Sequence, residues 1–241
     1  RRQRQMCIRD SIYIAGGVES MSMIPMTGYK LAPSYKANLE NLNYHVSMGA
    51  TAEAVADKYK ITRDMSDEFA VNSHTKAALA IDYKKFENEI VPVTVDEVFV
   101  QDGKKITKSH VVSKDEGVRR DTSMEGLARL RPAFRLKGVV TAGNASGVVD
   151  GAAAVVLKTA ERARADGDQA LARLVDWGIV GLDPAIMAYG PVPASQRALE
   201  RAGMNIEDID RWEINEAFAG QALTCINELG LDLNKVNVNG G

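Results

Sequence analysis

Residues 138–166, GVVTAGNASGVVDGAAAVVLKTAERARAD, decide the fold class. The stretch opens as a strand and runs into a turn of small residues with two glycines. GAAAVVLKT at 151–159 then reads as a buried strand, with a short helix expected over about 160–166. Downstream, LARLVDWGIVGLD at 171–183 is expected to be a strand. PASQRALERAG at 193–203 is expected to be a helix opened by Pro193 and closed by Gly203. IEDI starts a short helical turn, RWEINEAF runs from a strand into a helix ending near Gly230, and KVNVNGG at 235–241 reads as a further strand. This alternation of strands and helices predicts an α/β fold.

Upstream the pattern changes. IYIAGG at 12–17 reads as a buried strand with a sharp turn, and residues 18–46 as an irregular excursion. Ser47 is placed to cap a helix through about Tyr59, with Met48, Ala52, Val55 and Ala56 on one face. Thr62 is placed to cap a second helix from Arg63 to about Phe86. IVPVTVDEVFV at 90–100 alternates as strands do, QDGKK at 101–105 holds a tight turn, and residues 108–138 are charged and irregular.

The 241 residues suffice for one large domain or two modest ones. No apolar run approaches the 18 residues or so of a membrane span. A formal net charge of −2 gives no reason to expect nucleic acid. The cysteines are Cys7 and Cys225 alone, which disfavours a disulfide framework and favours a reducing compartment. CxxC and HExxH spacings are absent, so no metal site has sequence support. His45, His74 and His110 pair with no nearby Cys or Asp in a catalytic spacing. The first eleven residues, RRQRQMCIRDS, carry four arginines and no periodicity. A basic tail and a very short transit peptide are both readings of this segment. Its resemblance to translated adapter sequence favours a foreign leader, with the native chain starting near Ile12. A strand that stops at Gly240–Gly241 leaves an edge without a partner, so both ends are expected to be truncations.

Asn215 stands at a strand-to-helix junction. Its carboxamide can either cap the helix or aim its donors, or a held water, at a developing oxyanion. The TAGNASG loop is either a tight structural turn or a place where a ligand approaches the backbone closely. Arg119, Arg120, Arg129 and Arg131 are either phosphate ligands or solvated surface charges.

Four segments in order, AGGVESMSMIPM at 15–26, TAGNASGVVDGAAAV at 141–155, EINEAFAGQAL at 213–223 and NVNGG at 237–241, resemble the thiolases, and RLRPAF at 129–134 and GPVPAS at 190–195 match as well. The resemblance runs over about residues 12–241 and corresponds to the middle of a family member. It implies a layered α/β/α/β/α fold with an inserted loop domain, truncated at both ends. Residues 12–27 and 139–165 would be a partial N-terminal domain, 28–138 the loop domain that shapes the coenzyme A site, and 166–241 the first part of a C-terminal domain. The implied activity is acyl transfer through a cysteine acyl-enzyme, either thiolytic cleavage of 3-ketoacyl-CoA or Claisen condensation of acetyl-CoA. No permanently bound cofactor is implied. Coenzyme A and acyl-CoA are the expected partners, with a homodimeric or homotetrameric parent, in a bacterial cytoplasm or else in a mitochondrion or peroxisome.

By the same resemblance Asn215 holds the oxyanion-hole water, Ala217 and Phe218 border the acyl pocket, and Ala145 and Ser146 touch the pantetheine arm. Met124, Leu130 and Phe134 pack on coenzyme A, and Met48 and Met187 lie beside the acyl tail. Ser47 occupies a slot that holds a histidine in some members. The nucleophilic cysteine, the activating histidine and the acid/base cysteine of the family match no position here, so this chain by itself is expected to be inactive. The rival readings are a thiolase-like acyl-CoA or lipid-binding protein without catalysis, a ketoacyl synthase and a scaffold. The first turns on sequence flanking this chain, and the AGGxESMS and NEAF patterns disfavour the second.

Overall fold

A computed structural model of the chain describes residues 12–26 and 28–241. The expected leader at 1–11 lies outside the described residues. In chain order the described elements are β1 (Ile12–Glu19), α1 (Tyr35–Glu40), α2 (Met48–Tyr59), α3 (Arg63–Asp82), β2 (Val93–Gln101), β3 (Lys104–Val112), α4 (Met124–Ala128), β4 (Gly151–Lys158), α5 (Ala160–Asp166), α6 (Pro191–Ala202) and α7 (Ala219–Leu229). Short 3-10 turns occur at Leu42–His45, Pro184–Tyr189 and Ile206–Asp208. The described residues divide into two units, those up to 37 with 148–176 and those at 38–147 with 177–241.

In the first unit β1 and β4 pair antiparallel, from Ile12 opposite Lys158 to Glu19 opposite Gly151. Just past the end of this ladder the Asp150 carboxylate accepts the Ser22 amide at 2.8 Å and the Ser22 hydroxyl at 2.5 Å. Those two bonds hold the Asp150 carboxyl below its ordinary pKa. α5 starts on Thr159, whose hydroxyl accepts the Arg162 amide, and stops at Gly167, whose φ of +73° is left-handed.

The second unit holds the core. Ser47 and Thr62 cap α2 and α3 as expected, accepting from the amides of Ala50 and Met65. α7 is buried on almost every side, through Ala219, Gly220, Gln221, Ala222, Thr224, Cys225, Ile226 and Leu229. Such a helix must lie inside rather than on a core. It packs against α2 and α3. A Cβ on Gly220 would already lie 3.3 Å from Ser66 Oγ and 3.5 Å from Ile61 Cγ2. Val192, Cys225, Ile226, Leu229, Leu231 and Val236 form the centre, and Phe69, Tyr189, Ile206, Trp212 and Ile214 pack around it. Each fully buried large aliphatic side chain contributes about 1.5–3 kcal/mol. The β2–β3 hairpin turns on Asp102 and Gly103, both at positive φ (52° and 74°), which matches the right-handed strand twist.

Several sequence expectations need correction. The helix expected through Phe86 ends at Asp82, and Lys84 adopts a left-handed φ of 57° in the turn beyond it. α6 begins at Pro191 rather than Pro193, because a first-turn proline gives up an amide that has no helical partner anyway. Residues 138–140 and 171–183 form no ladder among the described residues. A strand requires a partner backbone. The carbonyls of Trp177 and Ile179 instead accept side chains of α6, from Arg201 at 3.3 Å and Arg197 at 3.0 Å. RWEINEAF and KVNVNGG meet in a single parallel bridge, Trp212 with Val236, rather than in full strands.

Candidate functional site

The small-residue loop and the Asn-Glu-Ala-Phe segment are joined backbone to backbone. Ala145 and Phe218 form an antiparallel bridge. The Ser146 amide donates to the Ala217 carbonyl at 3.0 Å, and the Ala219 amide donates to the Asn144 carbonyl at 2.9 Å. Ala219 opens α7, so its amide has no partner inside the helix and the loop supplies one. The cap residue is Phe218, which contributes no side-chain bond. Asn215 therefore does not cap the helix. It is exposed, and its carboxamide has no hydrogen-bond partner among the described residues.

What keeps Asn215 in place lies on either side of it. Asn237 is buried and adopts a φ of 42°, a left-handed conformation that asparagine tolerates. Its Oδ1 accepts the Ile214 amide at 2.8 Å, and its Nδ2 donates to the Ile214 carbonyl at 2.8 Å and to Glu216 Oε1 at 2.6 Å. The residues before and after Asn215 are thus fixed by one carboxamide while Asn215 projects freely. Nearby, His74 Nδ1 accepts the Arg119 amide at 3.3 Å. Burial, then the Arg119 charge, lowers the His74 pKa against the opposing pull of Glu216 and Asp121.

The loop itself rests on buried charge. Asn144 is buried. Its Oδ1 accepts the Thr141 amide at 2.8 Å, and its Nδ2 donates to the Val139 carbonyl at 2.9 Å and to Asp67 Oδ1 at 2.7 Å. Asp67 Oδ2 pairs with Arg63 Nε at 2.7 Å. At the loop's start, the buried Glu53 carboxylate accepts the amides of Val139 and Val140, each at 3.0 Å, and pairs with Arg135 Nε at 3.3 Å. Arg135 also pairs with Asp57, holding that carboxyl below its usual range. Buried carboxylates persist only when paired and hydrogen-bonded, and these meet both conditions.

Apolar groups complete the surroundings. Phe134 meets Phe218 edge to face, with ring centroids 6.1 Å apart and an interplanar angle of 85°. Gly49, next to Met48, lies against the Phe134 ring so closely that any Cβ would collide with it. Gly143 is packed in the same way against Leu127 and Leu130. The 3-10 turn that carries Met187 packs on α2, which carries Met48. Met48, Met124, Leu130, Phe134 and Met187 all keep more than a third of their surface exposed, unlike the core side chains around Val192 and Cys225.

The structure thus brings together Ala145, Ser146, Ala217, Phe218 and Phe134, and sets Leu130 against the loop. Of the arginines, Arg120 pairs with Asp82 at 2.8 Å and Arg129 pairs with Glu125 one helical turn away. The sequence reading gives no site role to Glu53, Arg63, Asp67, Asn144, Asn237 or His74. One signal was available: Glu53 and Asp67 are the charged residues among the otherwise uncharged buried positions of their helices. Cys225 is fully buried, and desolvation raises the pKa of its thiol, the opposite of what an attacking thiolate needs.

The family model for the thiolase N-terminal domain matches residues 3–161, and that for the thiolase C-terminal domain matches residues 168–241. The 3-ketoacyl-CoA thiolase of Bacillus subtilis (strain 168) is 49% identical over 230 residues, 95% of this chain and 59% of that protein. Other relatives carry the name acetyl-CoA acetyltransferase. The dimeric peroxisomal thiolase of Saccharomyces cerevisiae superposes with a TM-score of 0.82 at 41% identity, covering 96% of this chain and 57% of that one. Human mitochondrial 3-ketoacyl-CoA thiolase in complex with CoA gives a TM-score of 0.80 at 37% identity, covering 96% and 58%. The chain spans about three-fifths of the length of the relatives it matches. It has the thiolase fold and belongs to the thiolase family.

Proposed function

We propose that the protein acts in acyl transfer between thioesters, by thiolytic cleavage of a 3-ketoacyl-CoA or by the reverse Claisen condensation, with coenzyme A as co-substrate. The single observation that carries the proposal is the backbone pairing of Asn144–Ser146 with Ala217–Ala219. It sets the Ser146 loop and the free Asn215 carboxamide on connected backbone.

In thiolysis a cysteine thiolate attacks the 3-keto carbon. The C2–C3 bond breaks, acetyl-CoA leaves as an enolate that takes up a proton, and the acyl-cysteine is then cleaved by the thiol of coenzyme A. Two steps build negative charge on a carbonyl oxygen, and preorganised donors lower the barrier to both. Asn215 is the proposed donor, directly or through a water, because its carboxamide is uncommitted while Ile214 and Glu216 are fixed. Ala145 and Ser146 are the proposed pantetheine contacts. Phe134, Phe218, Ala217, Leu130 and Met124 form the apolar wall, with Met48 and Met187 toward the acyl chain. The buried Cys225 is excluded from the role of nucleophile, and the attacking and acid/base cysteines and their histidine are proposed to lie outside these 241 residues. The proposed domain division is that of the family, with residues 28–138 as the loop domain over the coenzyme A site. The whole protein is proposed to act as a dimer or tetramer in a bacterial cytoplasm. Among the described residues no helix is long and apolar enough to cross a membrane.

The test is calorimetric titration of coenzyme A into the chain, alongside an acetoacetyl-CoA thiolysis assay. Saturable binding that weakens on Ser146→Trp, with no turnover, is the expected result. Turnover above background would overturn the assignment of the nucleophile, and the absence of binding would overturn the site.

A further inference from the structure

We propose that Asp67, which belongs to none of the sequence motifs, is a positioning residue for the 139–146 loop and, through that loop, for coenzyme A. The proposal rests on the reading of Ser146 as a pantetheine contact.

Asp67 lies on α3 with 1% of its surface exposed. Its two oxygens have separate duties: Oδ1 accepts Asn144 Nδ2 and Oδ2 accepts Arg63 Nε, each at 2.7 Å. The remaining nitrogens of Arg63 donate to the carbonyls of Leu130, at 3.3 Å, and Leu127. One carboxylate therefore ties α3 to the loop on one side and, through the guanidinium, to the end of α4 on the other. Those are the segments that carry Ser146 and Leu130.

The path from Asp67 to the ligand-facing backbone is short. The Asn144 side chain fixes the Thr141 amide and the Val139 carbonyl, and its main-chain carbonyl takes the first amide of α7. A buried ion pair is a poor source of net stability, because desolvation cancels much of the attraction. Its strength here is direction: a charge-assisted acceptor ties the Asn144 carboxamide, and the loop bonded to it, to one place on α3, an anchor that an apolar residue of equal volume would not supply. Without Asp67, Asn144 keeps its loop bonds but loses the anchor that sets where the loop stands against α3. Arg63 loses its counter-charge as well.

The experiment uses the full chain, with coenzyme A as the probe. Coenzyme A affinity and amide hydrogen exchange at Ser146 and Ala219 are measured for Asp67→Ala, Asn144→Ala, the double variant and Val55→Ala. Val55 is fully buried on α2 and serves as the control for general destabilisation. Asp67→Ala is expected to weaken coenzyme A by about tenfold and to speed exchange at Ser146 and Ala219, leaving the β2–β3 hairpin amides unchanged. Asn144→Ala is expected to do the same, and the double variant to add little, as for two ends of one interaction. Val55→Ala is expected to lower the melting temperature with affinity within about twofold of the parent. Should Asp67→Ala not fold, Asn144→Ala carries the expectation alone. Unchanged exchange at Ser146 and Ala219, or an affinity loss no larger than in Val55→Ala, overturns the proposal. If the parent chain binds no coenzyme A, the pantetheine reading fails, and the exchange data alone decide whether Asp67 holds the loop.

Discussion

The amide of Ser146 donates to the carbonyl of Ala217 across 3.0 Å, joining two motifs 71 residues apart in sequence. Neither segment is regular structure at that point. The loop gains a fixed edge and α7 gains a cap from the same short pairing, so the geometry around Asn215 depends on residues far away in the chain.

The exposed Asn215 side chain makes no hydrogen bond among the described residues. Asn215→Ala is expected to change the unfolding free energy by less than about 0.5 kcal/mol, as at other exposed positions. In a chain extended to the full length of its relatives, the same substitution is expected to lower kcat for thiolysis by about 100- to 1,000-fold, the usual cost of one oxyanion donor. Urea melts and steady-state kinetics check the two halves separately.

Gly49 is required by contact rather than by backbone angle. A methyl group there would strike the Phe134 ring, which also meets Phe218. Gly49→Ala is expected to cost about 1–3 kcal/mol by overpacking, read as a lower urea midpoint at unchanged slope. The near-ultraviolet circular dichroism of the Phe134–Phe218 pair should weaken with it.

Tyr189 stacks on Tyr59 at 5.1 Å, and its hydroxyl donates to Glu228 at 3.5 Å. Burial, chiefly, pushes its pKa up from 10.0 to about 12. The folded state thus holds the phenolic proton more tightly than the unfolded chain does. The resulting stability is complete below pH 10 and disappears as the pH rises through about 12. Tyr189→Phe should remove that part of the alkaline loss. Denaturant melts of both proteins between pH 9 and about 12 measure the difference.

Cys225 is fully buried, and desolvation raises its thiol pKa. Reaction with an aromatic disulfide reagent at pH 8 is expected to wait for unfolding, and to become immediate in denaturant. Immediate labelling of this thiol in the native chain would contradict the described core.

β1 and β4 leave apolar side chains open on their sheet, including Ile14 at 79% and Val18 at 73% exposure. Patches of this kind bind hydrophobic dyes and promote association. The chain is expected to enhance anilinonaphthalene sulfonate fluorescence, and Ile14→Lys to reduce the enhancement. A sharp, high-temperature cooperative melt with no dye binding would contradict the expectation.

The sequence by itself determined the pieces that depend on near neighbours. Ser47 and Thr62 cap helices because a hydroxyl reaches an amide three residues on, and Asp102–Gly103 reverses a hairpin because those residues accept positive φ. The motif order determined the family for the same reason: it is a property of the chain alone. Tertiary structure decided whether the stretch at 171–183 would become a strand, since a ladder requires a partner backbone and the carbonyls of Trp177 and Ile179 meet arginines of α6 instead. It also decided what supports the site. Asp67 with Asn144, Glu53 with Val139 and Val140, and Asn237 with Ile214 are pairs distant in sequence, and no local pattern records them. A buried charge needs a partner in space, and only the folded chain chooses which one.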